Sequence, residues 1–419
     1  MTSGENINPE TIRGLTQSRV SRRMFMKGAG AVAGAGALSA LLAACGVTGT
    51  NPSGANPTGG NASGGTDWTS WWASKKQNGV LNFANWPYYI DTDSNGKHAS
   101  LEAFTKKTGI KVNYKEVIQD DPSYYAKISP LLTKGQSIGQ DIIVITDGWY
   151  LTEIINNGWA VQLDHSRMPN FTANADRSLL SPSYDPGALH SAVWQTGLTG
   201  LAYNSKKVPE GITSFADLLD PKYAGHIGLF SDNTEYGSMA LLATGAQTAT
   251  STHDDWNKAV EWLNKLKPSV AKFYDQGYTD ALQNGDIWIS QAWSGDVYQM
   301  QQGGHPEIKF VLPTEGVITW HDNMLIPITA ENPVDAITWM NYYYTPETAG
   351  IIEDYDAYIC PVPAAKDYIL NTLKDPAVAN SPLVFPSAAD LAKAQEYYTY
   401  KNLADYNAWN ALFDPVAQS

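Results

Sequence analysis

The chain has 419 residues, of which 43% are hydrophobic, 17% charged and 11% aromatic, so it is long enough for two domains with sizeable cores. Its formal net charge is −14. Because five of the 28 basic residues and two of the 42 acidic residues lie in residues 1–44, the remainder of the chain carries −17. Such an acidic surface repels nucleic acid, which we exclude as a partner, and attracts cations without proving a cationic ligand.

Residues 1–44 are predicted to be a targeting segment. Ser21-Arg22-Arg23-Met24-Phe25-Met26-Lys27 looks like a twin-arginine export signal. The weakly apolar run that follows, from Gly28 to Ala44, is rich in Gly and Ala, and its 17 residues are few for a membrane span. This run ends in Leu42-Ala43-Ala44-Cys45, which looks like the bacterial lipobox whose cysteine carries diacylglycerol. We therefore predict a twin-arginine lipoprotein signal peptide, with lipidation at Cys45 and anchoring on the outer face of the cell membrane.

A flexible tether is predicted to follow the anchor. Gly46 to Thr66 contains only small, polar and proline residues and no charge, and a coil of this length spans roughly 25 Å. Residues 45–66 thus form the lipidated cysteine and its tether, and the folded part begins near Asp67. Cys360 is the only other cysteine, so no intramolecular disulfide is expected.

The first folded segment alternates strands and helices. Strands are predicted at Val80–Ala84, at Ile110–Glu116 and, as an apolar central strand, at Asp141–Ile145. Helices are predicted at Ser100–Lys107, Pro122–Lys134 and Trp149–Asn156, each followed closely by a glycine. The pattern predicts an α/β unit with a largely parallel sheet.

A second α/β unit follows an extended segment. Ala192–Asn204 contains two glycines, which suggest a bend or a crossing between domains. The elements predicted beyond it are helices at 214–219, 236–244, 255–266 and 278–283 and strands at 226–230, 286–291 and 308–312. Further helices are predicted at 333–344, 346–352, 388–398 and 403–412.

The stretch from Gly316 to Pro327 is expected to hold two short strands, Val317–Thr319 and Met324–Ile326, separated by Trp320-His321-Asp322. A fully buried strand would not carry this tripeptide, because an unpaired buried carboxylate costs several kcal/mol. The interruption is either a simple loop or the edge of a cleft where an aromatic face and a negative charge meet a cation. We expect it to be the return crossing between domains.

Catalytic and metal signatures are missing from the sequence. There is no nucleophile elbow, phosphate loop or zinc-protease motif, and the seven histidines lack the spacing of metal ligands. We expect no cofactor, no metal and no enzymatic activity. A surface-anchored hydrolase using Asp232 and Glu235 as paired carboxylates is the alternative from another functional class.

Aromatic and acidic residues recur at or just past predicted strand ends. Ligands of α/β sheets bind at the carboxyl ends of strands, and aromatic faces together with carboxylates suit an ammonium ligand. Asp232 could instead cap the following helix, and each tryptophan could be core packing. The residues in this pattern are Trp86, Tyr88, Tyr89, Asp147, Trp149, Asp232, Glu235, Trp293, Asp296, Trp320 and Asp322.

From about Val80 to Pro363 the chain resembles the spermidine/putrescine-binding proteins of polyamine ABC transporters. The motifs that carry the resemblance are Asn85-Trp86-Pro87-Tyr88-Tyr89, Asp141-Ile142-Ile143-Val144, Ser231-Asp232-Asn233-Thr234-Glu235, Trp293-Ser294-Gly295, Glu315-Gly316 with Trp320-His321-Asp322, and Tyr358. The resemblance implies an α/β, two-lobed periplasmic-binding-protein fold of type II with the ligand cleft between lobes. The implied lobes are residues 67–196 plus 323–372 and residues 197–322 plus 373–419.

The resemblance also implies roles for particular residues. Trp86 and Tyr89 resemble first-lobe ligand contacts, Asp232 and Glu235 the second-lobe carboxylates, and Asp322 the carboxylate for a terminal amine. Trp293 and Trp320 resemble the aromatic walls, and Tyr358 resembles a further wall or a hydroxyl contact. The chain departs from the family at three places. Pro87 replaces a residue that commonly has a hydroxyl group, and the loop at Thr146–Tyr150 is one residue longer. After Lys366 the resemblance is weak, and it implies no role for any residue there. The implied partners are a polyamine and the ABC permease subunits, with the protein a monomer; another small cationic solute is the alternative ligand.

Overall fold

The computed structural model describes residues 66–274 and 277–418. The predicted signal peptide, Cys45 and the tether up to residue 65 lie outside the described residues. None of the helices within the described ranges is sufficiently long and apolar to cross a membrane. Cys360 is buried and free.

The first group of strands is parallel and lies at one end of the sheet. The strands are β1 Val80–Asn85, β2 Lys111–Glu116 and β3 Ile142–Thr146, with β1 between the other two. The α-helices among them and up to the next strand are α1 Trp68–Ala73, α2 Ala99–Thr108, α3 Asp121–Thr133, α4 Trp149–Asn156 and α5 Pro169–Asn174. Gly109 ends α2 in the left-handed conformation, as its position predicts.

The second parallel group lies at the other end. It contains β5 Ile227–Phe230, β6 Val270–Tyr274 and β7 Ile289–Trp293, with β5 in the middle. The accompanying helices are α6 Asn233–Ala243, α7 His253–Leu266, α8 Tyr278–Asn284 and α9 Ser294–Gln302. The strand β6 was not predicted. The strand β7 begins three residues later than expected and also ends later, so that Trp293 is its last residue and not a residue beyond it.

Two long antiparallel strands join the groups. β4 Ser191–Asn204 pairs with β9 Val317–Leu325; β9 also pairs with β3, and β4 also pairs with β7. The strand order is β2-β1-β3-β9-β4-β7-β5-β6, with β8 Ile308–Val311 beside β4 and β10 Ala394–Gln395 beside β9. The parallel arrangement predicted for the first unit is present in β1, β2 and β3. The sheet as a whole is mixed, because β9 runs antiparallel to β3 and β4 runs antiparallel to β7.

The expected interruption of the 316–327 stretch was wrong. Trp320, His321 and Asp322 lie within β9, which is continuous from Val317 to Leu325. Asp322 can occupy a buried strand because its carboxylate accepts two hydrogen bonds, from Tyr89 and Thr146. The glycines of β4 do not break that strand either.

The C-terminal part differs most from expectation. The helix predicted at 388–398 was wrong: α14 covers only Ala388–Leu391, and the chain then forms β10. The remaining helices are α10 Pro333–Tyr343, α11 Pro346–Asp356, α12 Ala365–Tyr368, a π-helical turn Ile369–Leu373, α13 Pro376–Ala379 and α15 Leu403–Gln418. The segment 396–402 between β10 and α15 has no helix or strand, and its tyrosines pack against helices of both strand groups: Tyr400 against Trp149 of α4 and Tyr398 against Trp256 of α7.

Candidate functional site

The β3–β9 register places Thr146 opposite Asp322. The Thr146 hydroxyl donates to Asp322 Oδ1 at 2.7 Å, and the Tyr89 hydroxyl donates to Asp322 Oδ2 at 2.6 Å. Burial raises the pKa of Asp322 to about 6, although these two donors act in the opposite direction. Asp322 is thus a buried carboxyl group that is fixed in position by two hydrogen-bond donors, and a nearby cation would favour its charged form.

Three aromatic side chains surround this carboxylate. Tyr358 packs edge-on against Tyr89, with ring centroids 5.5 Å apart, and against Trp320 at 5.6 Å. The Trp320 ring lies over the backbone of Gly197, its partner on β4, where a Cβ atom would come within 2.0 Å of the ring. Only glycine permits this approach. Tyr89, Trp320, Asp322 and Tyr358 therefore form one contiguous cluster, and their contact with a ligand stays a prediction.

Trp86 lies beside this cluster at the end of β1. Its indole Nε1 donates to the carbonyl oxygen of Val144 on β3 at 3.2 Å, and its ring is half-buried. Tyr88, two residues on, has a left-handed backbone with φ of 58°, which turns the chain so that Tyr89 points to Asp322. The role of Trp86 in ligand contact stays a prediction.

The second-lobe candidates form another cluster, around Glu235. Its Oε1 accepts from Trp293 Nε1 at 2.9 Å and from the Thr199 hydroxyl at 3.2 Å. The residue is only 5% exposed, and burial raises its pKa to about 7. Trp293 stacks on Phe230, with centroids 4.4 Å apart. Glu235 and Trp293 are thus brought together.

Asp232 lies three residues before Glu235 and caps α6. Its side chain accepts from the Thr234 backbone N–H at 2.7 Å, so the capping alternative describes its contact correctly. The residue is exposed to solvent, yet the protein around it raises its pKa through desolvation. Asp232 is thus accessible to water and also close to surrounding protein, as a residue in the wall of a cleft would be. Its capping contact is therefore compatible with ligand contact.

Sequence reasoning did not single out Thr146 or Asp121. The Thr146 hydroxyl donates to Asp322, while Asp147 and Trp149, which belong to the strand-end pattern, make other contacts: Asp147 accepts from the His321 backbone N–H at 2.6 Å, and Trp149 stacks on Tyr406. Asp121 accepts from the Thr146 backbone N–H at 3.2 Å, and its pKa is raised well above the ordinary value by burial and by the charges of Asp322 and Asp232. Local sequence gave no signal for these contacts.

The C-terminal segment also reaches the site. The Tyr397 hydroxyl lies close enough to the Glu235 carboxylate to lower its pKa, and the charges of Asp147 and Asp232 act on Tyr397 in turn. No role had been carried over to this part of the chain. Tyr397 therefore adds an aromatic hydroxyl beside the second cluster.

The site carries excess negative charge. Between residues 66 and 418, leaving aside 275 and 276, no Lys or Arg side chain forms an ion pair with Asp121, Asp232, Glu235 or Asp322. In the same described part, no group of three or more His, Cys, Asp or Glu residues is arranged to hold a metal ion. The uncompensated charge suits a soluble organic cation.

Comparison with known proteins identifies the family. The sequence model described as bacterial extracellular solute-binding protein matches residues 99–386. The chain belongs to this family. Within the solute-binding family, the chain is 31% identical to the spermidine/putrescine-binding periplasmic protein of Salmonella typhimurium over 77% of this chain and 88% of that protein. It is 30% identical to a putrescine-binding periplasmic protein of Pseudomonas aeruginosa, over 79% and 89%.

A solved structure of the solute-binding family supports the architecture. The spermidine/putrescine ABC transporter substrate-binding protein of Streptococcus pneumoniae superposes with a TM-score of 0.70 at 24% identity, covering 81% of this chain and 98% of that one. The predicted α/β, two-lobed type II periplasmic-binding-protein fold is confirmed. The family and its structural neighbours are solute-binding transport proteins.

Proposed function

We propose that this protein captures a polyamine, such as putrescine or spermidine, in a cleft between its lobes and delivers it to the permease of an ABC importer. The observation that carries the proposal is a set of carboxylates that, within the described part of the chain, form no ion pair with Lys or Arg and are flanked by Trp and Tyr side chains from both strand groups. Ammonium groups gain from charge pairing with carboxylates and from aromatic ring faces. The names of the relatives agree with this ligand class.

The two clusters suggest how an elongated cation would lie. Asp322, held by Tyr89 and Thr146, would take one terminal ammonium group, with Trp320 and Tyr358 as walls. Asp232 and Glu235 would take the amines at the other end, with Trp293 as a wall. Trp86 and Tyr89 would supply contacts from the first lobe. The polymethylene chain would lie against the rings between them.

Hinge closure is the proposed mechanism. The lobes would be residues 67–196 plus 323–372 and residues 197–322 plus 373–419, joined by β4 and β9. The ligand-facing side chains Tyr89, Glu235, Trp320, Asp322 and Tyr358 are each less than 8% exposed. A ligand must therefore enter an opened state and then stabilise the closed one by touching both lobes, and the permease would recognise closure.

The cellular setting is also part of the proposal. Residues 1–44 would direct export by the twin-arginine route, Cys45 would carry the lipid, and residues 45–66 would tether the folded part to the outer face of the membrane. The protein would act as a monomer without enzymatic activity. Globomycin blocks cleavage before a lipidated cysteine. Its effect on the processing of the full-length chain would therefore test the anchor separately from ligand binding.

A thermal-shift assay on the mature protein tests the ligand. A ligand at about one hundred times its Kd stabilises a protein by about 2.7 kcal/mol, which raises the melting temperature by several degrees. Putrescine or spermidine should do this for the wild type, and Asp322→Asn or Asp232→Asn should remove most of the shift. Asp254→Asn, an exposed residue in the first turn of α7, is the matched control and should retain it.

The absence of a shift with every polyamine would refute the ligand, although not the fold or the family. Mass spectrometry of the molecule retained through purification would then identify a different small cation. Retention of a full shift by Asp322→Asn would refute the placement of the terminal ammonium.

A further inference from the structure

Asp121 is a carboxylate in the proposed site that neither the sequence resemblance nor the strand-end pattern includes. It is the first residue of α3, and its Oδ2 accepts from the Thr146 backbone N–H at 3.2 Å. Its second oxygen, Oδ1, is buried and has no hydrogen-bond partner among the described residues. A buried carboxylate oxygen without a donor is unfavourable, so a ligand group that could supply one would gain at this point.

Thr146 brings Asp121 next to Asp322. The backbone N–H of Thr146 donates to Asp121, while its hydroxyl donates to Asp322 Oδ1 at 2.7 Å. The two carboxylates therefore share one residue as a donor and lie within a few ångströms of it. The negative charges of Asp322 and Asp232 both act on Asp121, which places Asp121 within electrostatic reach of the proposed binding positions at both ends of the ligand.

A second observation in the same site points to a ligand. Glu235 is 5% exposed, and no donor meets its Oε2 in hydrogen-bonding geometry, although the Tyr397 hydroxyl lies nearby. Since Glu235 and Asp121 lie on different helices, these are independent acceptors that the protein leaves incompletely paired. Both could be satisfied by N–H donors of a bound amine.

We propose that Asp121 is a specificity-determining residue that contacts the ligand and favours cations with three or more protonated nitrogens over diamines. This inference rests on the proposed polyamine-binding function and narrows its substrate class. Asp121, Asp232, Glu235 and Asp322 can carry four negative charges, whereas a diamine brings two positive ones. A third ammonium group compensates a carboxylate that a diamine leaves unpaired, and like charges left close together repel each other.

Asp121 also lies in the first turn of α3, where a negative charge is favourable for any helix. That contribution is independent of the ligand, so the two roles make different predictions. A purely helical role would change stability and leave the preference between amines unaltered. The neighbouring Asp120 provides a matched control, because it is the N-cap of the same helix and accepts from the Ser123 N–H at 2.6 Å.

Isothermal titration of the mature protein with putrescine and spermidine tests the proposal, using wild type, Asp121→Asn and Asp120→Asn. Asparagine preserves shape at residue 121 and is an equally good cap at residue 120. Asp121→Asn should weaken spermidine binding by roughly tenfold or more and putrescine binding by no more than about threefold. Asp120→Asn should leave the ratio of the two affinities unchanged.

Equal weakening of both amines by Asp121→Asn, or no change in either, would overturn the role of Asp121 while leaving the proposed function intact. A wild-type protein that binds neither amine would instead overturn the proposed function, and this inference with it. Circular dichroism of each variant checks folding. If the variant is folded, a change in its ratio of spermidine to putrescine affinity cannot come from lost structure.

Discussion

Asp322 shows why a single residue type can mislead a local prediction. A buried carboxylate without partners would interrupt a strand, and the sequence around residue 322 does not reveal which residues supply its donors. The donors come from Tyr89 and Thr146, which are 233 and 176 residues away in the chain. The strand is continuous because long-range hydrogen bonds satisfy the carboxylate, and only the tertiary structure supplies that information.

Gly197 is the residue on which the position of Trp320 depends. Gly197→Ala would place Cβ 2.0 Å from the Trp320 ring, which must move. Overpacking of this kind typically costs about 1–3 kcal/mol, and displacement of the ring would also weaken a ligand wall. We expect a lower melting temperature and a polyamine Kd raised about tenfold, measured by calorimetry.

Gly200→Ala is the control for that variant. It lies on the same strand but would crowd Phe310 and the Val311 carbonyl, at 2.9 and 2.6 Å, away from Trp320. It should lose stability and keep its ligand affinity. Replacing Trp320 by Leu in the Gly197→Ala background should recover stability in a non-additive way. Unchanged affinity in Gly197→Ala would contradict the assignment of Trp320 as a wall.

The candidate site could be predicted only where the residue types themselves are informative. Trp293, Trp320 and Asp322 stand out because aromatic and acidic side chains interrupt apolar strands. Asp121 and Thr146 do not stand out, since an acid at a helix start and a threonine at a strand end are common for structural reasons. Their importance comes from the register of β3 against β9.

At the scale of elements, helix ends were more predictable than strand pairing. Glycines and prolines mark helix boundaries locally, and α4 was predicted at Trp149–Asn156 as observed. The orientation of β4 and β9 could not be derived from their apolar runs, because periodicity does not distinguish parallel from antiparallel neighbours. Their antiparallel crossing depends on how distant segments pack.

The segment after β10 shows tertiary packing overriding local preference. Residues 388–398 are rich in alanine and predict a helix, yet Tyr398 stacks parallel to Trp409 of α15, with centroids 5.9 Å apart. Its hydroxyl donates to Asp405 at 2.7 Å. These contacts favour an irregular segment over a helix here, and they leave the Tyr397 hydroxyl beside Glu235.

Through Tyr406 and Trp409, α15 packs against one helix from each strand group. The Tyr406 ring stacks on Trp149 with centroids 4.6 Å apart and planes within 5°, and its hydroxyl bonds that of Tyr150 at 3.0 Å. Trp409, one turn further along α15, packs instead on Trp256 of α7. Tyr406→Ala should therefore weaken the closed state and raise the polyamine Kd roughly three- to tenfold, as expected for an aromatic pair worth about 0.5–1.5 kcal/mol.

Calorimetry measures this change, and small-angle scattering of the ligand-free protein should show a larger radius of gyration for Tyr406→Ala. Tyr406→Phe keeps the stack and loses only the hydroxyl, so it should lie close to wild type in both measurements. An unchanged Kd and radius in Tyr406→Ala would show that α15 does not contribute to closure.

For the molecule as a whole, the formal net charge of −14 makes the chain acidic, and Asp121, Asp232, Glu235 and Asp322 are the acidic residues of the candidate site. An acidic surface raises the local concentration of cations and speeds their encounter, and in the proposed function the enclosed carboxylates would provide the affinity. The same carboxylates repel one another when no cation is present. Ligand binding and proton binding therefore compete for the same groups.

Polyamine affinity is accordingly expected to fall as the pH falls. Burial raises the pKa of Asp322 to about 6 and that of Glu235 to about 7 in the ligand-free protein. Below these values each group holds a proton that the ammonium must displace, whereas amines with a pKa of about 10 stay charged. The association constant should drop on the order of tenfold from pH 8 to pH 6, with proton release on binding.

Calorimetric titrations in two buffers of different ionisation enthalpy measure both the affinity and the protons released. Glu235→Gln removes the group that titrates first as the pH is lowered, so its affinity should be lower at pH 8 and change less down to pH 6. Asp254→Asn should keep the wild-type slope, because that residue is exposed on α7. If the affinity were constant over this range, neither Asp322 nor Glu235 would lose a proton when the cation binds, and their proposed pairing with ammonium groups would be contradicted.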